Sequence, residues 1–129
     1  MYKILTKKPL NPTVTQMEIE APLVANKALP GQFIMVRPCD GRSSWARPLS
    51  ICRVTSQSLV LFFRVNIDDR FAALKSGDRV VVWGPLGTAF EVRPDAPTLL
   101  LARGVGIAPF AGYADVHPAP STLSMLFGH

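Results

Sequence analysis

The sequence predicts a mainly β fold, a closed or nearly closed antiparallel barrel followed by the opening of an α/β segment. Short runs rich in β-branched and aromatic residues recur through the first two thirds of the chain, bounded by Pro, Gly, Asn or Asp. Twelve prolines and nine glycines are spread along 129 residues, as many turns between short strands require. A compact apolar run at 98–102 is followed at once by Gly104 and Gly106, the pattern of a strand, a tight turn and a helix start.

The predicted strands are 2–6, 13–20, 33–37, 49–54, 58–65 and 79–83. Met17 and Ile19 alternate with Glu18 and Glu20, the period of a strand with one wet face. The run Leu59-Val60-Leu61-Phe62-Phe63 is apolar on both faces and belongs centrally. One helical turn fits 71–75, ahead of the Ser76-Gly77-Asp78 turn, and Gly84-Pro85-Leu86-Gly87 reads as a turn after the strand ending at Trp83. The polar stretch Arg93-Pro94-Asp95-Ala96-Pro97 reads as a connection, which divides the chain into residues 1–95 and 96–129. In the second part Pro118 and Pro120 end any helix, and 122–127 fits a second strand parallel to the first through a short crossover.

Hydrophobic content of 48% with 18% charged residues describes a globular chain, and its length suits one ordinary core. No apolar run approaches the ~20 residues needed to span a bilayer, and the lysine-bearing N-terminus lacks a signal-like apolar stretch, so a cytoplasmic protein without a membrane partner is expected. Cys39 and Cys52 cannot supply the thiolates of an iron–sulfur cluster, and His117 and His129 lack partners at ligand spacing, so no metal site is expected. The net charge of +5 suits an anionic ligand, but the aromatics do not interleave with the basic residues as a nucleic-acid stacking platform would need. Most of Arg37, Arg42, Arg53, Arg64 and Arg70 read as a solvated face.

Two segments carry chemistry. Arg47 offers a planar fork of donors suited to phosphate, Pro48 restricts the backbone beside it, and Ser50 offers a hydroxyl such as a flavin ring nitrogen would need. On spacing alone, an Arg and a Ser three apart fit a solvated strand face better. Gly104-Val105-Gly106 after a strand lets the backbone approach a diphosphate, and Pro109 is tolerated in a first helical turn. The third glycine of the dinucleotide fingerprint is missing, so a plain strand-to-helix turn competes with that reading.

The conjunction is more specific than its parts. Pro30-Gly31-Gln32-Phe33, Arg47-Pro48-Leu49-Ser50, Gly84 to Gly87 with Phe90, and Gly104 to Pro109 occur in the order found in the ferredoxin reductase superfamily. Over residues 4 to about 110 the chain resembles the electron transfer subunits of type B dihydroorotate dehydrogenases. The resemblance implies a Greek-key FAD-binding barrel followed by a NAD(P)-binding α/β domain. It implies that Arg47 holds a flavin phosphate, that Pro48 and Leu49 line the isoalloxazine, and that Ser50 hydrogen-bonds its reactive nitrogen as the catalytic contact. It further implies that Phe63, Arg64 and Val65 run beside the flavin and that Gly104 and Gly106 form the diphosphate turn; Gly84 and Gly87 also count among the cofactor-binding residues.

Departures from that pattern shape the expectation. Asn66-Ile67-Asp68-Asp69-Arg70 stands where relatives have a glycine-containing loop for the FAD diphosphate, so Asp68 and Asp69 would repel phosphate unless Arg70 offsets them, and FMN becomes conceivable. Arg103 stands beside the diphosphate turn, where it either pairs with a phosphate or blocks one. A doubly wound sheet normally has about five or six strands and this chain offers two, so the expectation is a truncated nucleotide-binding segment or one completed by a redox partner subunit or a second copy. The leading function is a flavin-dependent electron-transfer component, not active alone, passing reducing equivalents between NAD(P)H and a partner. The other class is a non-catalytic barrel that binds flavin, nucleotide or another chain.

Overall fold

A computed structural model describes residues 1–42, 45–66 and 68–128; Ile67 of the acidic loop and His129 lie outside the described residues. Six strands close into one antiparallel barrel: β1 (Tyr2–Pro9), β2 (Val14–Glu20), β3 (Phe33–Pro38), β4 (Arg47–Val54), β5 (Ser58–Arg64) and β6 (Arg79–Leu86). Around the barrel they run β1-β2-β5-β4-β3-β6, so β2 passes over to β5 while β3, β4 and β5 form a meander, the Greek-key connection. The core follows the strand period: Thr15, Met17 and Ile19 of β2 are buried while Gln16 and Glu18 are half-buried. Ile4, Ile34, Val36, Leu59, Leu61 and Val80 close the interior, each burial contributing about 1.5–3 kcal/mol.

Two short helices complete the barrel. The helix α1 (Pro22–Ala25), absent from the sequence reading, buries Val24 and Ala25 in the core. The helix α2 (Arg70–Ala73) takes the place of the helical turn expected over 71–75 and buries Phe71 edge-on against Phe63. One expectation is corrected at Gly84-Pro85-Leu86-Gly87. The strand β6 does not stop at Trp83 but runs to Leu86, which pairs with Phe33, and the register of β3 against β6 shifts between Phe33 and Met35. Proline fits there because a bulge interrupts the ladder.

The C-terminal region has the predicted order: β7 (Thr98–Arg103), a 3-10 turn (Gly104–Ile107), α3 (Ala108–Val116) and β8 (Leu123–Gly128), with β7 and β8 parallel from Thr98↔Leu123 to Arg103↔Gly128. It packs tightly on the barrel. A Cβ on Gly112 of α3 would stand 2.8 Å from the Cys52 carbonyl oxygen of β4. Arg53 Nε lies 2.9 Å from the Asp115 carboxylate. Phe90 stacks on Phe110 at 5.5 Å and meets Tyr113 edge-on at 5.7 Å, while the Tyr113 hydroxyl donates to the Glu91 carbonyl at 3.1 Å. The stretch before β7 is therefore fastened to α3. The outward Val60 and Phe62 of β5, apolar as the sequence showed, border a cavity of about 310 Å³ together with Ala111 of α3. No helix is long and apolar enough to cross a membrane.

Candidate functional site

One end of the barrel collects the first group of motifs. Phe33 pairs with Ser50 across β3 and β4 and with Leu86 across β3 and β6, so the turn before β3, the middle of β4 and the end of β6 meet. Gly31 has φ +96°, and a Cβ there would stand 2.8 Å from the Phe90 nitrogen, whose N–H donates to the Pro30 carbonyl. Only glycine meets both demands. Gln32 ties the same corner by donating from Nε2 to the Gly87 carbonyl at 3.0 Å, and Gly87 itself lies under the Phe33 ring.

On β4 the alternation separates the expected residues. Pro48 and Ser50 are exposed on the outer face, whereas Leu49 points into the barrel core. Phe63 likewise points inward on β5, so both side chains belong to the core. Val65 packs partly against the core and its N–H donates to the Thr13 carbonyl. Gly84, with φ +137°, sits over Ile34 where β6 bends.

Arg47 begins β4 opposite Val36. Its guanidinium donates through Nη1 to the Asp69 carboxylate and through Nη2 to the Arg64 carbonyl at 2.9 Å. It lies over the Phe71 ring at 5.0 Å and the Phe63 ring at 5.6 Å, a half-buried seat in which a charge pair is less screened than on the open surface. Asp69 is the N-cap of α2 and also accepts from the Phe71 N–H at 2.9 Å. From the other end, Lys7 Nζ donates to the carbonyls of Ala72 and Leu74 at 2.7 and 2.8 Å. Burial lowers the Lys7 ammonium below its usual range, with Asp69 and Asp78 opposing that shift.

The sequence leaves open whether Arg70 offsets Asp68 and Asp69. The structure assigns Arg70 to Asp40 at 3.2 Å and gives Asp69 to Arg47 instead. Position in sequence favoured Arg70 as the neighbour, but capping α2 turns the Asp69 carboxylate toward the start of β4. Arg42, Arg53, Arg64 and Arg70 are exposed, in keeping with a solvated arginine face, and Arg53 and Arg70 hold their ion pairs on that surface.

A second locus lies between the barrel and β7. A cavity of about 380 Å³ is lined by Asn11, Thr13, Phe62, Arg64, Arg103 and Gly104, among others. Gly104 takes φ +56°, and its would-be Cβ lies 3.6 Å from Arg64 Nη2, so the glycine turn and the β5 arginine meet. Among the described residues neither Arg64 nor Arg103 has an ion-pair partner within 4.0 Å, which leaves two cations facing one cavity. Gly106 has no atom near its would-be Cβ, and Pro109 sits in the first turn of α3.

The residues fit a flavin in part. Pro48 and Ser50 offer a flat apolar contact and a hydroxyl side by side on an exposed strand face. Arg47 does not fit a flavin phosphate as it stands, because Asp69 already holds its guanidinium.

No protein-family model matches the chain. It is 32% identical over 114 residues to the electron transfer subunit of dihydroorotate dehydrogenase B (NAD(+)) of Listeria monocytogenes, over 83% of this chain and 44% of that protein. The subunit of the same name from Desulforamulus reducens is 36% identical over 113 residues, 83% of this chain and 43% of the relative. Among solved structures, an NADH-dependent reduced ferredoxin-NADP oxidoreductase described for flavin-based electron bifurcation superposes with a TM-score of 0.85 at 25% identity, over 99% of this chain and 48% of that one. A ferredoxin NADP+ reductase from Neisseria gonorrhoeae with bound FAD and NADP superposes at 0.77 with 24% identity, over 98% of this chain and 55% of the other. The chain thus spans less than half the length of the curated relatives it matches.

Proposed function

We propose that this chain, whose barrel has the ferredoxin reductase fold and whose sequence is similar to dihydroorotate dehydrogenase B electron transfer subunits, is the flavin-binding part of a protein that passes reducing equivalents between NAD(P)H and a redox partner. The observation that carries the reading is the joint placement of Pro48 and Ser50 on the exposed face of β4 and of Arg64, Arg103 and Gly104 around one cavity. Bound FAD or FMN would supply hydride acceptance and single-electron release, chemistry that belongs to the cofactor. The chain's own part is to position and to bind. Ser50 offers its hydroxyl to the ring, Arg64 and Arg103 attract anionic groups, and the Gly104–Gly106 turn lets the backbone approach a nicotinamide nucleotide's diphosphate.

In this reading residues 1–95 hold the flavin and residues 96–129 begin the nicotinamide-binding part, with electrons leaving to a partner subunit. A second reading, a flavin- or nucleotide-binding barrel without turnover, is favoured by the Arg47–Asp69 pair, which withholds the expected phosphate ligand. The visible spectrum of the purified protein, with added FAD or FMN where none copurifies, tests the flavin site. A bound flavin that bleaches on anaerobic addition of NADH or NADPH is the expected result. Bound flavin indifferent to both nucleotides would favour the second reading, and a protein that takes up no flavin would overturn the first and leave the second only as a barrel that binds nucleotide or another chain.

A further inference from the structure

The pair between Arg47 and Asp69 joins residues 22 apart in sequence, and nothing in the proposed function requires it. Asp69 uses both carboxylate oxygens: Oδ2 takes the Arg47 guanidinium and Oδ1 takes the Phe71 N–H at 2.9 Å. A guanidinium presented to a bound anion and a backbone N–H beside it are the donors a phosphate monoester or diphosphate would otherwise use. The carboxylate side chain is 18% exposed and that of Arg47 33%, so an incoming phosphate cannot find a fully hydrated cation to one side of the pair. It must displace the carboxylate or lie against it, and two anions sharing one cation repel. Of the other cations, Arg70 is engaged with Asp40 and Lys7 with the carbonyls of Ala72 and Leu74, while the Arg64 side chain faces the separate cavity beside Gly104.

We propose that Asp69 sets the flavin selectivity of this chain, its carboxylate holding the Arg47 guanidinium in place of a flavin phosphate so that phosphate adds little to flavin affinity. The inference rests on the flavin reading above and goes beyond it, because it says which part of the flavin is recognised. The site discriminates on the isoalloxazine and is nearly indifferent to the phosphate that separates FMN and FAD from riboflavin.

The test is a fluorescence-quenching titration of riboflavin and of FMN into the wild-type chain and into Asp69→Asn at low ionic strength. Asparagine keeps an oxygen for the Phe71 N–H and removes the charge that competes for Arg47. In the wild type the two flavins are expected to bind within a few-fold of each other. In Asp69→Asn, FMN is expected to bind about tenfold or more tighter than riboflavin, the scale of one released charge-assisted hydrogen bond. A wild-type chain that already prefers FMN by that factor, or a preference unchanged in the variant while both flavins still bind, overturns the inference and leaves the flavin reading standing. Failure of the wild type to bind either flavin overturns the flavin reading and the inference with it. Asp69→Ser, which also keeps a capping oxygen, repeats the comparison if the asparagine variant is poorly folded, and the wild-type ratio is read independently of both.

Discussion

At Arg47 and Gly31, single side chains carry demands that the sequence states unequally. Gly31 was legible as part of the Pro30-Gly31-Gln32-Phe33 motif, and the structure adds that its φ of +96° and the Phe90 nitrogen 2.8 Å from any Cβ leave no room for substitution. Gly31→Ala is expected to destabilise the fold by about 2 kcal/mol or more, from backbone strain and steric overlap together, as a drop in the urea midpoint at unchanged slope would report. Arg47 was legible as a cation at the start of a strand, and its role followed from resemblance. Its partner was not legible, because Asp69 reaches it only once β4 and β5 lie side by side and α2 is capped. Cys52 shows the same split. Its burial under α3 pushes the thiol above its usual range, with desolvation as the largest cause and Arg53 opposing, so the thiolate is scarce near neutrality.

Among the elements, most strands could be read from alternation and turn residues, and β7, α3 and β8 followed their expected order because proline and glycine punctuate each boundary. The strand β6 outran its reading, since two glycines and a proline mimic a turn where a bulge continues the ladder to Leu86. The helix α1 is only four residues long, too short for a helical period to show in Pro22-Leu23-Val24-Ala25. The seat of α3 on β4 depends on Gly112, the point of closest approach to Cys52. Gly112→Ala is expected to lift α3 from the barrel and to speed labelling of Cys52 by a thiol reagent severalfold. The measurement is made in a Cys39→Ser background, because Cys39 is exposed. Unchanged labelling with unchanged thermal stability would mean that α3 shifts without uncovering the thiol.

For the whole molecule, Lys7 links β1 to the C-terminal end of α2 and gives stability a pH dependence of definite sign. Because burial lowers its ammonium in the folded state, the unfolded chain binds more protons, so this contribution to stability rises with pH. The cost of holding the charged form is complete below the lowered folded value and disappears as pH passes the ordinary lysine value. The urea midpoint of the wild type relative to Lys7→Met is therefore expected to climb across that alkaline window. A flat difference would show that the hydrogen bonds to Ala72 and Leu74 fully offset desolvation.

The sequence by itself determined where most strands of a β-barrel fall along the chain, the glycine turn that opens the C-terminal region, and the residue types able to meet a flavin, because period, turn chemistry and proline placement act over a few neighbouring residues. Only the tertiary structure decided which of those residues face outward together and which cations are already spoken for. Leu49 and Phe63 turned into the core, Arg64 met Gly104 across a cavity, and Arg47 met Asp69. These outcomes depend on barrel closure and on register between strands distant in sequence, and no local pattern encodes them.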